Sequence, residues 1–232
     1  MKESFSNLLC SNFYKFLSGS ESPIELRPGQ IVSAHTVYPP SEPWILKVEN
    51  YNAFDMHKSS YVVKKFKKED RSHMPIAELG LRNDENYYLY HGKERPLIVV
   101  KGIGSRWLKA DQDESLNVCV PIFSFKKRHT EEFKIKVMGF YYPSLFYLPS
   151  DTNGCSEESA ARFELTQPIA RKALHPYFKG TPSKPVALSD EAYSLFANHL
   201  GRFIFGKDSD ASICEQIDAY RTLISEALAK NT

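Results

Sequence analysis

Cysteine, net charge and long apolar runs are all scarce in this 232-residue sequence, and each scarcity excludes something. The four cysteines, Cys10, Cys119, Cys155 and Cys214, form no CxxC pair and no zinc-type spacing. A disulfide scaffold and a structural zinc site are therefore not expected, and a reduced, cytoplasmic protein is. Cys119 falls inside an apolar segment and reads as a small core residue. No apolar run reaches the length of a membrane-spanning helix. The opening Met1-Lys2-Glu3-Ser4-Phe5 is soon interrupted by polar residues, so no secretory leader is expected. A formal charge of +2 is too small to argue for nucleic acid, so any such argument must come from local clusters.

What is present is ordinary for a water-soluble fold with a sizeable core. Hydrophobic residues make up 42% and charged residues 25%, and the length allows one large domain or two small ones. Aromatics are plentiful, with 13 Tyr and 15 Phe, which suits β-strands and packed cores and also surfaces on which bases stack.

The spacing of apolar residues predicts a short amphipathic helix over residues 4–17, either a lid on the fold or a partner-docking element. A strand is expected over Gln30 to Tyr38, broken by Pro39 and Pro40. Residues 39–93 are too long for a simple loop, and three strands are expected there, Trp44 to Val48, Tyr61 to Phe66 and Tyr87 to His91. The run Lys64-Lys65-Phe66-Lys67-Lys68 is either a solvated face guarding a sheet edge or a phosphate-contacting patch. Glu94-Arg95-Pro96-Leu97-Ile98-Val99-Val100-Lys101-Gly102 reads as a buried strand between punctuating residues. Gly102-Ile103-Gly104 reads as a turn, since no helix pattern follows it.

Val118 to Ile122 is the next strand, with Phe125-Lys126-Lys127-Arg128-His129 as its basic exit. Phe133, Ile135 and Val137 alternate with Lys134 and Lys136, which predicts a half-exposed strand over 132–137. The aromatic segment 138–148 is either packing, an oligomer surface or a stacking platform. Arg162 to Ile169 reads as another strand, and 180–185 as a Pro-rich linker. Ser189-Asp190-Glu191 has the signature of a helix start that Gly206 ends. Ser212 and Glu215 form a capping-box pattern ahead of a last helix striped by Ile213, Ile217, Tyr220, Ile224 and Leu228.

Three of these strands taken together resemble the PemK/MazF family. They are Pro28-Gly29-Gln30-Ile31-Val32, Arg95-Pro96-Leu97-Ile98-Val99-Val100 and Val118-Cys119-Val120-Pro121-Ile122. Gln167 followed by Ile169, Arg171 and Leu174 is similar to a later strand of that family, and Leu188-Ser189-Asp190-Glu191 to its closing helix. The resemblance covers residues 26–38, 93–137 and 162–206, under half the chain. It implies an α+β fold: an SH3-like β-barrel over 26–206 with a large insertion, 39–93. A helix and linker over 1–25 and a C-terminal helix over 207–232 would flank it.

The resemblance also implies a metal-independent endoribonuclease toxin that needs no cofactor. In such cleavage the RNA's ribose 2′-hydroxyl attacks the adjacent phosphorus, so something must take that proton, neutralise the phosphorane and protonate the leaving oxygen. Arg95 stands where the family's catalytic arginine precedes its proline, and a planar fork suits two phosphate oxygens. The family's hydroxyl position falls on Phe123, which cannot donate, and Ser124 follows it. His91 is a candidate proton shuttle, and Glu94 and His129 are further acid-base candidates. The expected RNA contacts are Lys101, Lys126, Lys127, Arg128 and Gln167. Expected partners are single-stranded RNA, an antitoxin protein and a second copy of the chain. Asp111, Asp113 and Glu114 read as solvated loop acids rather than a metal site. Because of Phe123, an altered barrel that binds nucleic acid or protein without cleavage stands as the alternative.

Overall fold

The computed structural model describes residues 12–17, 26–38, 44–50, 52, 58, 60–65, 88–103, 116–179, 184–206 and 211–229. In chain order these form β1 (Tyr14–Phe16), β2 (Ile31–Tyr38), β3 (Trp44–Asn50), β4 (Ser60–Lys65), β5 (Tyr88–Leu89), β6 (His91–Ile103) and β7 (Leu116–Ser124). Then come α1 (Glu131–Met138), β8 (Leu145–Leu148), β9 (Ser159–Arg162), β10 (Gln167–Ala170), β11 (His175–Pro176), β12 (Phe178–Lys179) and β13 (Lys184–Leu188). Two helices follow, α2 (Asp190–Phe205) and α3 (Ala211–Ala229). The chain divides into two units, residues 1–36 with 94–232, and residues 37–93.

The larger unit is α+β with antiparallel ladders. Its main sheet runs β11-β2-β6-β7-β9-β8, and β10 also pairs with β7. Strand β7 organises it: residues 116–121 pair with β6, 116–119 with β10 on the other edge, and 122–124 with β9. Strand alternation sends odd and even residues to opposite faces, and here both faces are covered. Val32, Leu97, Val99 and Cys119 enter one small core with Ala34, Ile169 and Leu174. Ile31, Ile98, Val120 and Ile122 enter a larger one beneath the helices, with Phe140, Phe146, Phe163 and Phe196. That is why these strands read as continuous apolar runs rather than alternating ones. Each Val, Leu, Ile or Phe side chain among them contributes about 1.5–3 kcal/mol by leaving water.

The small core curls the sheet. Outer strands β10 and β11 are consecutive in the chain, joined through a 3-10 turn at Arg171–Ala173. Such a link spans about 13 Å, whereas a flat five-stranded sheet would hold its edges about 19 Å apart. The expectation of an SH3-like barrel is met at the level of an α+β, mostly antiparallel fold. Among the described residues the ladders follow an open path, and no closed barrel is formed.

A three-stranded sheet, β1-β13-β12, lies in the same unit. Helix α2 starts at Ser189, whose hydroxyl accepts from the Ala192 amide at 3.2 Å, and ends at Gly206 in the left-handed region, φ 68°. It buries Ala192, Leu195, Phe196, His199 and Leu200 at helical spacing, and α3 buries Ile217, Tyr220 and Ile224.

Four expectations are corrected. Residues 14–16, assigned by spacing to a helix, form a strand because Tyr14, Lys15 and Phe16 pair with Leu188, Ala187 and Val186 of β13; residues 4–11 lie outside the described ones. Residues 131–138 are helical: Thr130 Oγ1 accepts from the Phe133 amide, Glu131 and Glu132 occupy the positive end, and Gly139 follows the last turn. Arg162 to Ile169 is two strands separated by a 3-10 turn at Phe163–Leu165. Ser212 lies inside α3 rather than capping it. The aromatic segment 138–148 serves mainly as packing, with Phe140, Phe146 and Tyr147 buried.

The smaller unit is a three-stranded antiparallel sheet of order β4-β3-β5, in which Ile45 is buried. Its β3–β4 register shifts between Val48 and Asn50. Residues 66–68 of the basic run lie outside the described ones, as do Gly104 and the acids at 111–114; of the turn expected at 102–104, Gly102 and Ile103 instead continue β6, paired with Asn117 and Leu116.

Candidate functional site

The sequence places Arg95 just before the apolar run of β6 and Phe123 at the end of that of β7. Leu97 pairs with Pro121, and two residues further out the same ladder direction sets Arg95 beside Phe123, where both side chains emerge from the rim of the small core. Phe123 pairs with Ala160 on the other side, so Arg162, two residues on, shares its face. The Arg95 guanidinium carbon lies 4.1 Å from the Phe123 ring centroid and that of Arg162 5.0 Å. Both are within cation–π range.

Around this stack opens a cleft of about 440 Å³, whose described lining belongs to the larger unit. Its lining includes Arg95, Ser124, Lys126, Arg128, His129 and Arg162. Glu164 also lines it, so among the described residues four permanent cations face one carboxylate. Arg162 donates from Nε and Nη2 to Glu164 Oε1, at 2.8 and 2.5 Å.

The turn after β7 is built to present its basic residues. The His129 amide donates to the Lys126 carbonyl, and the Lys126 amide donates to His129 Nδ1, both at 2.9 Å. With Nδ1 accepting, the neutral ring carries its proton on Nε2. Phe125 and Phe133 clamp the ring, with centroids at 5.7 and 5.3 Å. Behind them Phe125 stacks on Tyr147, whose hydroxyl donates to Glu158 Oε1 at 2.6 Å. Burial, reinforced by the Glu158 carboxylate, pushes the Tyr147 phenol well above its ordinary range, so it stays a neutral donor. Lys134 bridges Glu158 at 3.4 Å and Glu131 at 2.6 Å, and its hydrogen bond to Glu131 raises its ammonium pKa. The wall of the cleft is thus fixed by neutral and compensated groups.

Of the residues singled out in the sequence, the fold brings Arg95, Ser124, Lys126 and Arg128 to one cleft, with His129 among them. Others are elsewhere. His91 is exposed and belongs to the smaller unit. Lys101 is exposed on β6, six residues beyond Arg95, about 20 Å along a strand. Lys127 is exposed in the turn but does not line the cleft, nor does exposed Glu94. Gln167 pairs with Cys119 and donates to the Leu165 carbonyl at 3.2 Å. Sequence reasoning missed Arg162 and Glu164 as site residues. Their local signal was only an Arg-x-Glu spacing, which acquires meaning once β9 pairs with β7.

Cys119 behaves as a core residue: it is buried, and burial pushes its thiol up to about 12. Among the described residues no group of three His, Cys, Asp or Glu side chains is placed to hold a metal ion, and no helix is long and apolar enough to cross a membrane. Compared with known proteins, the chain matches no protein-family model, no curated protein and no solved structure.

Proposed function

We propose that this chain is a metal-independent endoribonuclease that cleaves single-stranded RNA in the Arg95 cleft. The observation that carries the reading is that Arg95 of β6 meets Ser124, Lys126, Arg128 and His129, from the end of β7 and the turn after it, in one cleft. Each has a role in 2′-hydroxyl attack. Arg95 takes the charge that develops on the phosphorane oxygens. His129, held through Nδ1, offers its Nε2–H as a hydrogen-bond donor to a phosphate oxygen, while water takes the 2′-hydroxyl proton and protonates the leaving oxygen. Ser124 donates to a phosphate oxygen, while Lys126 and Arg128 hold the flanking backbone.

The finer fold in this reading is an SH3-like barrel of the PemK/MazF type. It is supported by the order β11-β2-β6-β7-β10, with a 3-10 turn between the two outer strands. The family resemblance adds a cytoplasmic setting, a homodimer and an antitoxin that covers the cleft. The test is incubation of purified protein with single-stranded RNA in EDTA. Fragments ending in 2′,3′-cyclic phosphate are expected, and Arg95→Gln abolishes them. Intact RNA with the wild-type protein refutes the assignment.

Phe123 favours a second reading, because a phenyl ring stands under Arg95 where the family carries a hydroxyl. In that reading the cleft binds RNA and leaves it whole. Salt-sensitive affinity without cleavage products distinguishes it.

A further inference from the structure

The nuclease reading leaves Arg162 and Glu164 unused. Arg162 comes from β9, yet its guanidinium shares the Phe123 ring with that of Arg95. Two sides of a triangle, 4.1 and 5.0 Å, hold the two guanidinium carbons no more than about 9 Å apart. Like charges at that separation repel, and an anion between them offsets the repulsion. Arg162 has an internal anion in Glu164. Glu164 places a single oxygen against Nε and Nη2, an edge of the guanidinium suited to receiving a phosphate with two parallel bonds. The pair is only two residues apart, and its side chains remain 40% and 35% exposed, so exchanging the carboxylate for another anion costs little.

We infer that Arg162 is a second phosphate contact beside Arg95, and that Glu164 occupies it until a phosphate of the bound strand takes its place. Two guanidinium groups no more than about 9 Å apart can meet one phosphate or two neighbouring phosphates of the same strand. Glu164 thereby tunes affinity: only a ligand that already engages Arg95 gains enough by also displacing the carboxylate. The inference rests on the RNA reading of the cleft and deepens it.

A fully 2′-O-methylated oligonucleotide lacks the attacking hydroxyl, so it reports binding without cleavage. Its dissociation constant is measured by fluorescence anisotropy across a salt series for wild type, Arg95→Gln, Arg162→Gln and Glu164→Gln. Arg162→Gln is expected to weaken binding and reduce the slope of log K against log salt by about 0.7. Glu164→Gln is expected to tighten binding by about two- to fivefold, the worth of an exposed ion pair. An unchanged slope in Arg162→Gln, or no tightening in Glu164→Gln, overturns the inference. If Arg95→Gln still weakens binding in that case, the RNA reading survives its loss. If the wild type does not bind, both fall. Circular dichroism melts of the two surface variants, matched to wild type, exclude misfolding as the cause.

Discussion

Replacing His199 with glutamine should flatten the acid limb of this protein's stability curve. His199 sits on α2, 1% exposed, ringed by Phe140, Phe146 and Phe163 at 5.1, 6.4 and 5.4 Å. Its Nε2 lies 3.2 Å from the Leu145 carbonyl and 3.4 Å from that of Tyr142, so Nε2 carries the proton. Nδ1 has no hydrogen-bond partner among the described residues, and a second proton there would be buried among aromatic rings. Burial therefore lowers the imidazole pKa from 6.5 to about 4. The two carbonyls oppose that shift, while the charges of Arg221 and Arg202 assist it.

In the unfolded chain the ring returns to about 6.5. Above that pH both states are neutral and the residue adds no pH dependence. As pH falls through 6.5 the unfolded chain gains a proton that the folded one refuses, and stability is lost until pH reaches about 4. At about 1.4 kcal/mol per pH unit, the whole interval costs about 3 kcal/mol. That is a large part of the stability of an ordinary domain. Glutamine keeps an N–H for the carbonyls and does not titrate. Urea unfolding at pH 7.5, 6, 5 and 4 should show wild type losing about 3 kcal/mol more than His199→Gln across the series, because the carboxylates and the other histidines are common to both. Parallel curves would refute the argument, as they would mean that the ring charges in place.

Two further outcomes test the packing of the larger unit. Gly154→Ala should destabilise the fold by about 1–3 kcal/mol in chemical denaturation, since the new methyl would lie 2.2 Å from the Tyr14 ring. The ring is held by its hydroxyl bond to the Pro149 carbonyl at 2.8 Å, so it moves only by giving that up. Thr130→Ala should cost about 1 kcal/mol, because it removes the hydroxyl that accepts from the Phe133 amide at the start of α1. The same measurement checks it, and Thr130→Ser should restore most of the loss.

Some of this architecture was legible residue by residue. Ser189, the two acids after it and Gly206 mark α2 because caps act over one turn and need no distant partner. Branched runs over 31–38, 97–100 and 118–122 declare strands, although they do not say which faces are covered. Helix α1 shows how local signals compete. Five residues alternate, but Thr130 ahead of two glutamates satisfies the first amides, and the cap prevails.

The chain alone therefore determined its short-range elements and a basic turn after the central strand. It also singled out Arg95 as a cation at the edge of an apolar run. Tertiary pairing decided the rest. Tyr14–Phe16 is a strand because β13 offers it an edge, and His129 rather than His91 lines the cleft because the turn after β7 bonds to its ring and His91 lies in the other unit. Arg162 meets Arg95 over one phenyl ring because β7 pairs with β6 on one side and β9 on the other. Spacing in sequence cannot encode such a meeting, since sheet order and register are set by which apolar faces are buried together.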